Sequence, residues 1–184
     1  MTTATDDVVV LLDDHGNPVG THPRATVHST TTPLHLAFSC HLRDDAGRTL
    51  VTRRALAKRT WPGVWTNSFC GHPRPGESFD DAVRRHAQHE LGLPGEAIVG
   101  LEPLLPDFRY RAVDAAGVVE NEVCPVFTAV LAPGVELRPH PDEVAEHRWV
   151  DVADLLDVVE KAPWALSPWI VEQAEGLRLL LARA

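Results

Sequence analysis

Three short connections restrict the fold of this chain more than any other feature: Asp14-His15-Gly16, Asp45-Ala46-Gly47 and Asp114-Ala115-Ala116-Gly117. Each sets an acid just ahead of a glycine. A short carboxylate can bond the backbone amides that follow it, and glycine takes positive φ without steric cost, so the pattern reads as tight hairpin loops. The loops punctuate β-rich runs at Val8 to Leu12, Leu34 to Leu42, Thr49 to Arg54, Phe108 to Val113, Val118 to Val130 and Arg148 to Val150. Antiparallel pairing is expected at all three places.

Helical spacing begins only after Gly76-Glu77. Ser78 and Asp81 stand at capping-box distance, and Phe79, Ala82, Val83, Ala87 and Leu91 recur at helical intervals until Gly92 and Pro94 stop them. A second helix fits Asp151 to Val159. A third, from about 168 to 183, starts with Ser167 as cap and Pro168 in the first turn and runs through Ile170, Ala174, Leu177 and Leu180. The expected class is α+β, with helices packed on a mixed sheet. At 184 residues the chain fits one domain over 1–184, with its core at about 8–170. Pro133 to Pro141 reads as a loop within it, because a boundary there would leave a tail too small to fold alone.

Charge narrows the partners. Seventeen Lys and Arg against 26 Asp and Glu give a formal charge of -9, which argues against a general affinity for nucleic acid or an acidic membrane. An anionic small-molecule substrate would need a local basic pocket. The acidic start from Met1 to Val10 and the lack of a long apolar run point to a cytoplasmic protein, and a monomer is expected. Cys40, Cys70 and Cys124 are an odd number without close pairing, so at least one free thiol is expected.

Two segments concentrate chemistry. On Val118 to Val130, Glu120 and Glu122 are two apart, so on a strand they share a face at roughly 7 Å and can converge on one ion. A lone Glu-x-Glu is more often a solvated strand face. Here the apolar run that follows suggests a strand entering the core, where carboxylates need partners. The second segment, Trp61 to Pro73, ends in Cys70-Gly71-His72-Pro73, a thiol two residues before an imidazole in a Gly/Pro-held loop.

The loop leads directly into the helix, and Gly71, Glu77, Arg85, Glu90, Gly92 and Leu93 fall at the offsets of the Nudix box, Gly-x5-Glu-x7-Arg-Glu-U-x-Glu-Glu-x-Gly-U. The resemblance implies a Nudix fold and a diphosphate ligand. Where a Nudix hydrolase would carry glutamates in the Arg-Glu-U-x-Glu-Glu cluster, this chain has His86 and His89, and Glu90 is the surviving acid of that cluster. Replacing two carboxylates by imidazoles weakens a hard Mg²⁺ site.

Over about Val8 to Trp169 the chain more closely resembles the type I isopentenyl diphosphate isomerase family. The strings that carry this are Leu34-His35-Leu36-Ala37-Phe38-Ser39, Arg53-Arg54-Ala55, Trp61 to Pro73, Asp107-Phe108-Arg109-Tyr110-Arg111, Glu120-Asn121-Glu122-Val123-Cys124-Pro125-Val126 and Ser167-Pro168-Trp169. The resemblance implies that Cys70 and Glu122 move protons on opposite faces of a bound alkene, with Tyr110 hydrogen-bonded to the carboxyl. It implies a metal site of His28, His35, His72, Glu120 and Glu122, a donor set suited to Mn²⁺, Zn²⁺ or Fe²⁺. It also implies a Mg²⁺ bound with the substrate diphosphate through Glu90 and the Cys70 backbone carbonyl. Arg24, Arg54 and Lys58 would hold the diphosphate. Trp164 would lie against the cationic carbon, and the Trp61, Trp65 and Trp164 loops would exclude water.

Without the resemblance, several of these residues read blandly. His28 would be a solvated loop histidine, His35 an exposed strand residue and Glu90 a surface acid. Two other functions compete with the isomerase: a Nudix hydrolase of a nucleoside or prenyl diphosphate, and a non-catalytic Nudix module. A flavin-dependent isomerase fits poorly, because there is no Gly-rich nucleotide turn between strand and helix.

Overall fold

The computed structural model describes residues 7–182. The start at 1–6 and the expected end of the last helix at 183 lie outside the described residues. In chain order the elements are β1 (Val8–Leu12), β2 (Pro18–Pro23), α1 (Arg24–Val27), β3 (His35–Leu36), β4 (Phe38–Arg43), β5 (Thr49–Arg54), β6 (Trp65–Thr66) and β7 (Phe69–Gly71). There follow α2 (Phe79–Leu91), β8 (Ile98–Leu105), β9 (Arg109–Val113), β10 (Val119–Val123), β11 (Val126–Leu131), β12 (Val144–Val150), α3 (Val152–Lys161), α4 (Pro168–Glu172) and α5 (Ala174–Ala182).

All three expected hairpins form, joining β1 to β2, β4 to β5 and β9 to β10. They share one construction, Asp-x-x-Gly. Asp13, Asp44 and Asp114 each accept two backbone N–H bonds on Oδ1, and Gly16, Gly47 and Gly117 sit at φ of 83°, 80° and 82°. In the first two loops the bonding acid is therefore one residue earlier than the Asp14 and Asp45 of the expected motif.

The strands build two sheets, ordered β2-β1-β3-β10-β9 and β12-β5-β4-β11-β8, with β6 on β5 and β7 on β4. Two runs read as continuous strands are each divided between the sheets. The Leu34–Leu42 run breaks at Ala37, and the Val118–Val130 run breaks at Cys124-Pro125. The broken runs lie parallel and stay tied at the crossing, where Ala37 donates to the Val123 carbonyl (2.9 Å) and Ser39 to the Pro125 carbonyl (3.1 Å). Proline has no N–H to continue a ladder, and Pro125 stands where the second run changes sheets.

The second sheet is covered on both faces. Phe38, Leu42 and Leu50 pack with Val83, Ala87 and Leu91 of α2, and Val51, Leu104 and Val126 pack with Leu156, Ile170 and Leu177 of α3 to α5. Burying one such side chain contributes about 1.5–3 kcal/mol. Helix α2 has the expected ends: the Ser78 hydroxyl accepts the Asp81 N–H at 3.1 Å, and Gly92 closes the helix at φ 66°. The C-terminal helix expected as one piece is two, interrupted at Gln173, whose side chain is fully buried.

The reactive-looking loop rests directly on α2. A Cβ on Gly71 would come within 2.5 Å of the His86 ring, which is held edge-on by Phe38 (ring centroids 5.4 Å) and bonded to Glu90. Gly71→Ala should therefore cost about 1–3 kcal/mol by overpacking. In urea titrations the double variant Gly71→Ala/His86→Ala should be less destabilised than the sum of the single changes; simple additivity would show that the contact is not what matters.

Candidate active site

Strand register places three functional side chains in a row. Glu122 pairs with His35 across the parallel β10/β3 contact and with Tyr110 across the antiparallel β10/β9 ladder. Leu34 and Leu36 turn to the opposite face and pack with Val10 and Leu12. The face His35 occupies is a covered cage rather than solvent, and His35 is 0% exposed, which corrects the bland reading of it.

His72, just past β7, and His28, just past α1, close the cage. The Glu122 Oε1 atom lies 3.2 Å from His72 Nε2, 3.4 Å from His35 Nε2 and 3.9 Å from His28 Nε2. One donor atom each from His28, His35, His72 and Glu122 lie within 4.8 Å of one another. Glu120 joins from the side, with Oε2 2.9 Å from His28 Nε2. That nitrogen is buried and, among the described residues, has no hydrogen-bond partner of acceptable angle. Tyr110 donates to the other Glu122 oxygen at 3.0 Å.

Burial opposes ionisation of Glu122, but the three imidazoles overcome it and hold the carboxyl well below its usual range. At His28 burial is likewise outweighed, by Glu120 and Glu122, and the ring is held up to about 9. Burial prevails at His72, which is pushed down to about 4 despite Glu122.

This donor set fits a divalent cation. His35 Nδ1 is 2.9 Å from the Pro33 carbonyl, which places its proton there and leaves the Nε2 lone pair facing the cage, the arrangement that orients metal-bound imidazoles. The His35 and His72 Nε2 atoms face each other at 3.2 Å, and an ion would satisfy both. Imidazole with carboxylate suits Mn²⁺ or Zn²⁺.

Cys70 comes from the other sheet, on β7. Its sulfur lies 3.2 Å from Asn67 Oδ1 and 3.3 Å from Ser39 Oγ. Burial pushes the thiol up to about 12, although both contacts pull the other way. Cys70, Glu122, Glu120, Tyr110 and Glu90 all line one cavity of about 650 Å³. Glu90, which reads from sequence alone as a surface acid, is buried, with Oε1 3.0 Å from His86 Nδ1.

Arg24, Arg54 and Lys58 reach the same cavity. Arg24 is paired with Asp7 at 2.8 Å and Lys58 with Glu143. Arg54 donates to the Thr60 carbonyl, and its guanidinium stands 5.4 Å from the centre of the Trp169 ring. Trp164 does not join them. It is 85% exposed and lines a separate shallow depression with Trp61 and Pro163. The tryptophan facing the cavity is Trp169, packed against Tyr110 at 5.7 Å; it stands five positions after Trp164, with the turn into α4 between them.

Sequence reasoning also missed Arg59 and Arg74 in the lining, and the positioning part played by Arg85. Arg85 bonds both oxygens of Glu77 (2.7 and 2.6 Å) and the His72 carbonyl (3.0 Å), locking the loop to α2. The signal was Glu77 and Arg85 at their box positions.

Residues 33–170 match the NUDIX domain family, and solved structures agree at the level of fold. A Deinococcus radiodurans protein superposes with a TM-score of 0.69 at 18% identity, covering 91% of this chain and 97% of its own. A Nudix hydrolase from M. smegmatis gives 0.58 at 20% identity, covering 95% and 94%. The chain is thus a NUDIX-domain protein of α+β class. Among curated proteins it is 60% identical to the isopentenyl-diphosphate Delta-isomerase of Clavibacter michiganensis over 91% of this chain and 84% of that one. The protein of the same name from Leifsonia xyli is 60% identical over 96% and 94%, and that from Corynebacterium glutamicum 52% identical over 97% and 94%. The chain belongs to the isopentenyl-diphosphate Delta-isomerase family.

Two outcomes follow from the cage and the thiol. His35→Ala should retain the fold but lose most Mn²⁺ or Zn²⁺ after dialysis, measured by elemental analysis; full metal content would remove His35 from the ligand set. In metal-free protein, Cys70 should alkylate slowly at pH 7, with a rate rising about tenfold per pH unit up to pH 9, because only the thiolate reacts. A plateau within that range, followed by peptide mass spectrometry, would mean a far more acidic thiol.

Proposed function

We propose that this chain interconverts isopentenyl diphosphate and dimethylallyl diphosphate by adding a proton to the alkene and removing another from the neighbouring carbon, with Cys70 and Glu122 as the two proton-handling groups. The observation that carries this is that a thiol on β7 and a caged carboxyl on β10 line one cavity together with Arg24, Arg54 and Lys58. High identity to proteins named isopentenyl-diphosphate Delta-isomerase along nearly the whole chain supports the same reaction.

Cys70 and Glu122 arrive from different sheets, and a five-carbon chain bound between them would present one face to sulfur and the other to carboxylate. Protonating an unactivated alkene needs a strong acid. A divalent ion held by His28, His35, His72, Glu120 and Glu122 would lower the proton affinity of the carboxyl it binds. Tyr110 fixes the orientation of the Glu122 carboxyl through its hydroxyl. Trp169 adds an aromatic face beside the position where positive charge develops on carbon, and its indole also helps exclude water that would trap the cation as an alcohol.

At the polar end, Arg54, Lys58 and Arg24 would bind the diphosphate, and Glu90 with the Cys70 carbonyl would hold the Mg²⁺ that accompanies it. A hydrolase reading is weaker, because the box cluster keeps a single carboxylate, already bonded to His86. A monomeric, cytoplasmic enzyme of one domain completes the proposal.

In D₂O with Mg²⁺ and isopentenyl diphosphate, NMR should show dimethylallyl product with deuterium uptake. Phosphate release without allylic product would favour hydrolysis. Cys70→Ala and Glu122→Gln should each lower turnover by at least about three orders of magnitude, consistent with loss of an acid–base group, while circular dichroism stays that of the parent. A near-normal rate in either would remove that residue from the chemistry.

A further inference from the structure

We infer that Gln173 is a positioning residue for the Cys70 thiol, acting through Ser39 from a layer behind the cavity wall. Gln173 and Ser39 do not line the cavity; both are fully buried. Gln173 Nε2 donates to Ser39 Oγ at 3.0 Å, and Ser39 Oγ lies 3.3 Å from the Cys70 sulfur. The far end of the amide is tied as well, with Gln173 Oε1 2.9 Å from His41 Nε2.

The chain has a direction. His41 Nδ1 is buried without a partner among the described residues, so the ring proton belongs on Nε2, where the Gln173 carbonyl accepts it. That leaves the amide N–H₂ to donate to Ser39. A serine oxygen already accepting there turns its own hydrogen away, toward Cys70 or toward the Cys124 sulfur at 3.6 Å. On the other side of Cys70, Asn67 Oδ1 is an acceptor only; it takes Trp169 Nε1–H at 3.0 Å and the Thr66 hydroxyl at 2.9 Å besides the thiol. With the Ser39 hydrogen on the shorter of these two contacts, the Cys70 sulfur is held between a donor and an acceptor, both on groups behind the cavity wall.

Both brackets lead back to α4 and the residue that caps it: Gln173 closes the helix with its N–H on the Trp169 carbonyl at 3.0 Å, and Trp169 bonds Asn67 while Gln173 bonds Ser39. The interruption between α4 and α5 falls at Gln173, where the side chain turns into the protein. A buried glutamine that merely satisfied His41 would account for the first bond but not for the pair of contacts that converge on one thiol.

The kinetic arm of the test rests on the isomerase reading, and a spectroscopic arm does not. Gln173→Met keeps length and removes the amide. In the full-length chain it should lower kcat for dimethylallyl diphosphate formation about ten- to hundredfold, with KM for isopentenyl diphosphate within about twofold, because a misaimed reacting group slows chemistry without weakening binding. The infrared S–H stretch of Cys70, isolated by subtracting the Cys70→Ala spectrum, should shift in the same variant. An unmoved S–H band, or a kcat within about twofold of the parent, overturns the proposal; lowered thermal stability with an unmoved band would leave Gln173 a packing residue. Should Gln173→Met not fold, Ser39→Ala is measured by the same two readouts, and the same results support or overturn the role. If the unaltered protein forms no dimethylallyl diphosphate, the isomerase reading fails, and the S–H band alone decides the positioning role.

Discussion

Everything at the centre of this molecule is arranged around one buried charge. Glu122 is 5% exposed, and an ionised carboxyl taken out of water without partners costs several kcal/mol. Its compensation is drawn from four separate places: His35 on β3, Tyr110 on β9, His72 after β7 and His28 after α1. Only the His28 and His35 segments are neighbours in sequence, so satisfying the carboxyl is also what joins the first sheet to the loop that leads into α2. Fold and chemistry share the same contacts here, and a change that frees the carboxyl also loosens the walls around it.

The thiol is supported differently. Cys70 is neutral and held by hydrogen-bond contacts with Ser39 and Asn67, which are themselves engaged by other groups, so its surroundings fix a direction rather than a charge. The cage can exchange partners for an ion; the sulfur's bracket has no such freedom. One half of the site therefore depends on what binds to it, and the other half is set when the chain folds.

Much of the frame was legible from the residues because it is locally encoded. The acid-and-glycine loops, the Ser78 cap and the Gly92 stop each act over a few positions, and each hairpin or helix end appears where expected. Strands β2 and β8 were not legible: β2 is mostly exposed and has no apolar alternation, while β8 carries Gly100 and Pro103 in its length. The division of Val118–Val130 was marked only by Pro125, which interrupts a ladder, and because both halves are largely buried their apolar pattern does not show that the chain changes sheet there. In the site, Cys70, His72 and the two glutamates drew attention by composition, but His28 and His35 stood out only through resemblance to a family. Trp164 and Trp169 could not be told apart by spacing, since the choice is made by how α4 leaves the preceding turn.

The crossing of the two broken strand runs has a further meaning for selectivity. Where the sheets part company, the cavity lining includes Ala37 and Gly71, a single methyl and a bare α-carbon. Main chain, unlike a long side chain, has no alternative rotamer into which it can retreat. A ligand reaching that stretch of the wall meets peptide backbone that cannot rotate aside, so fit there is set by the scaffold and not by the choice of a side-chain rotamer.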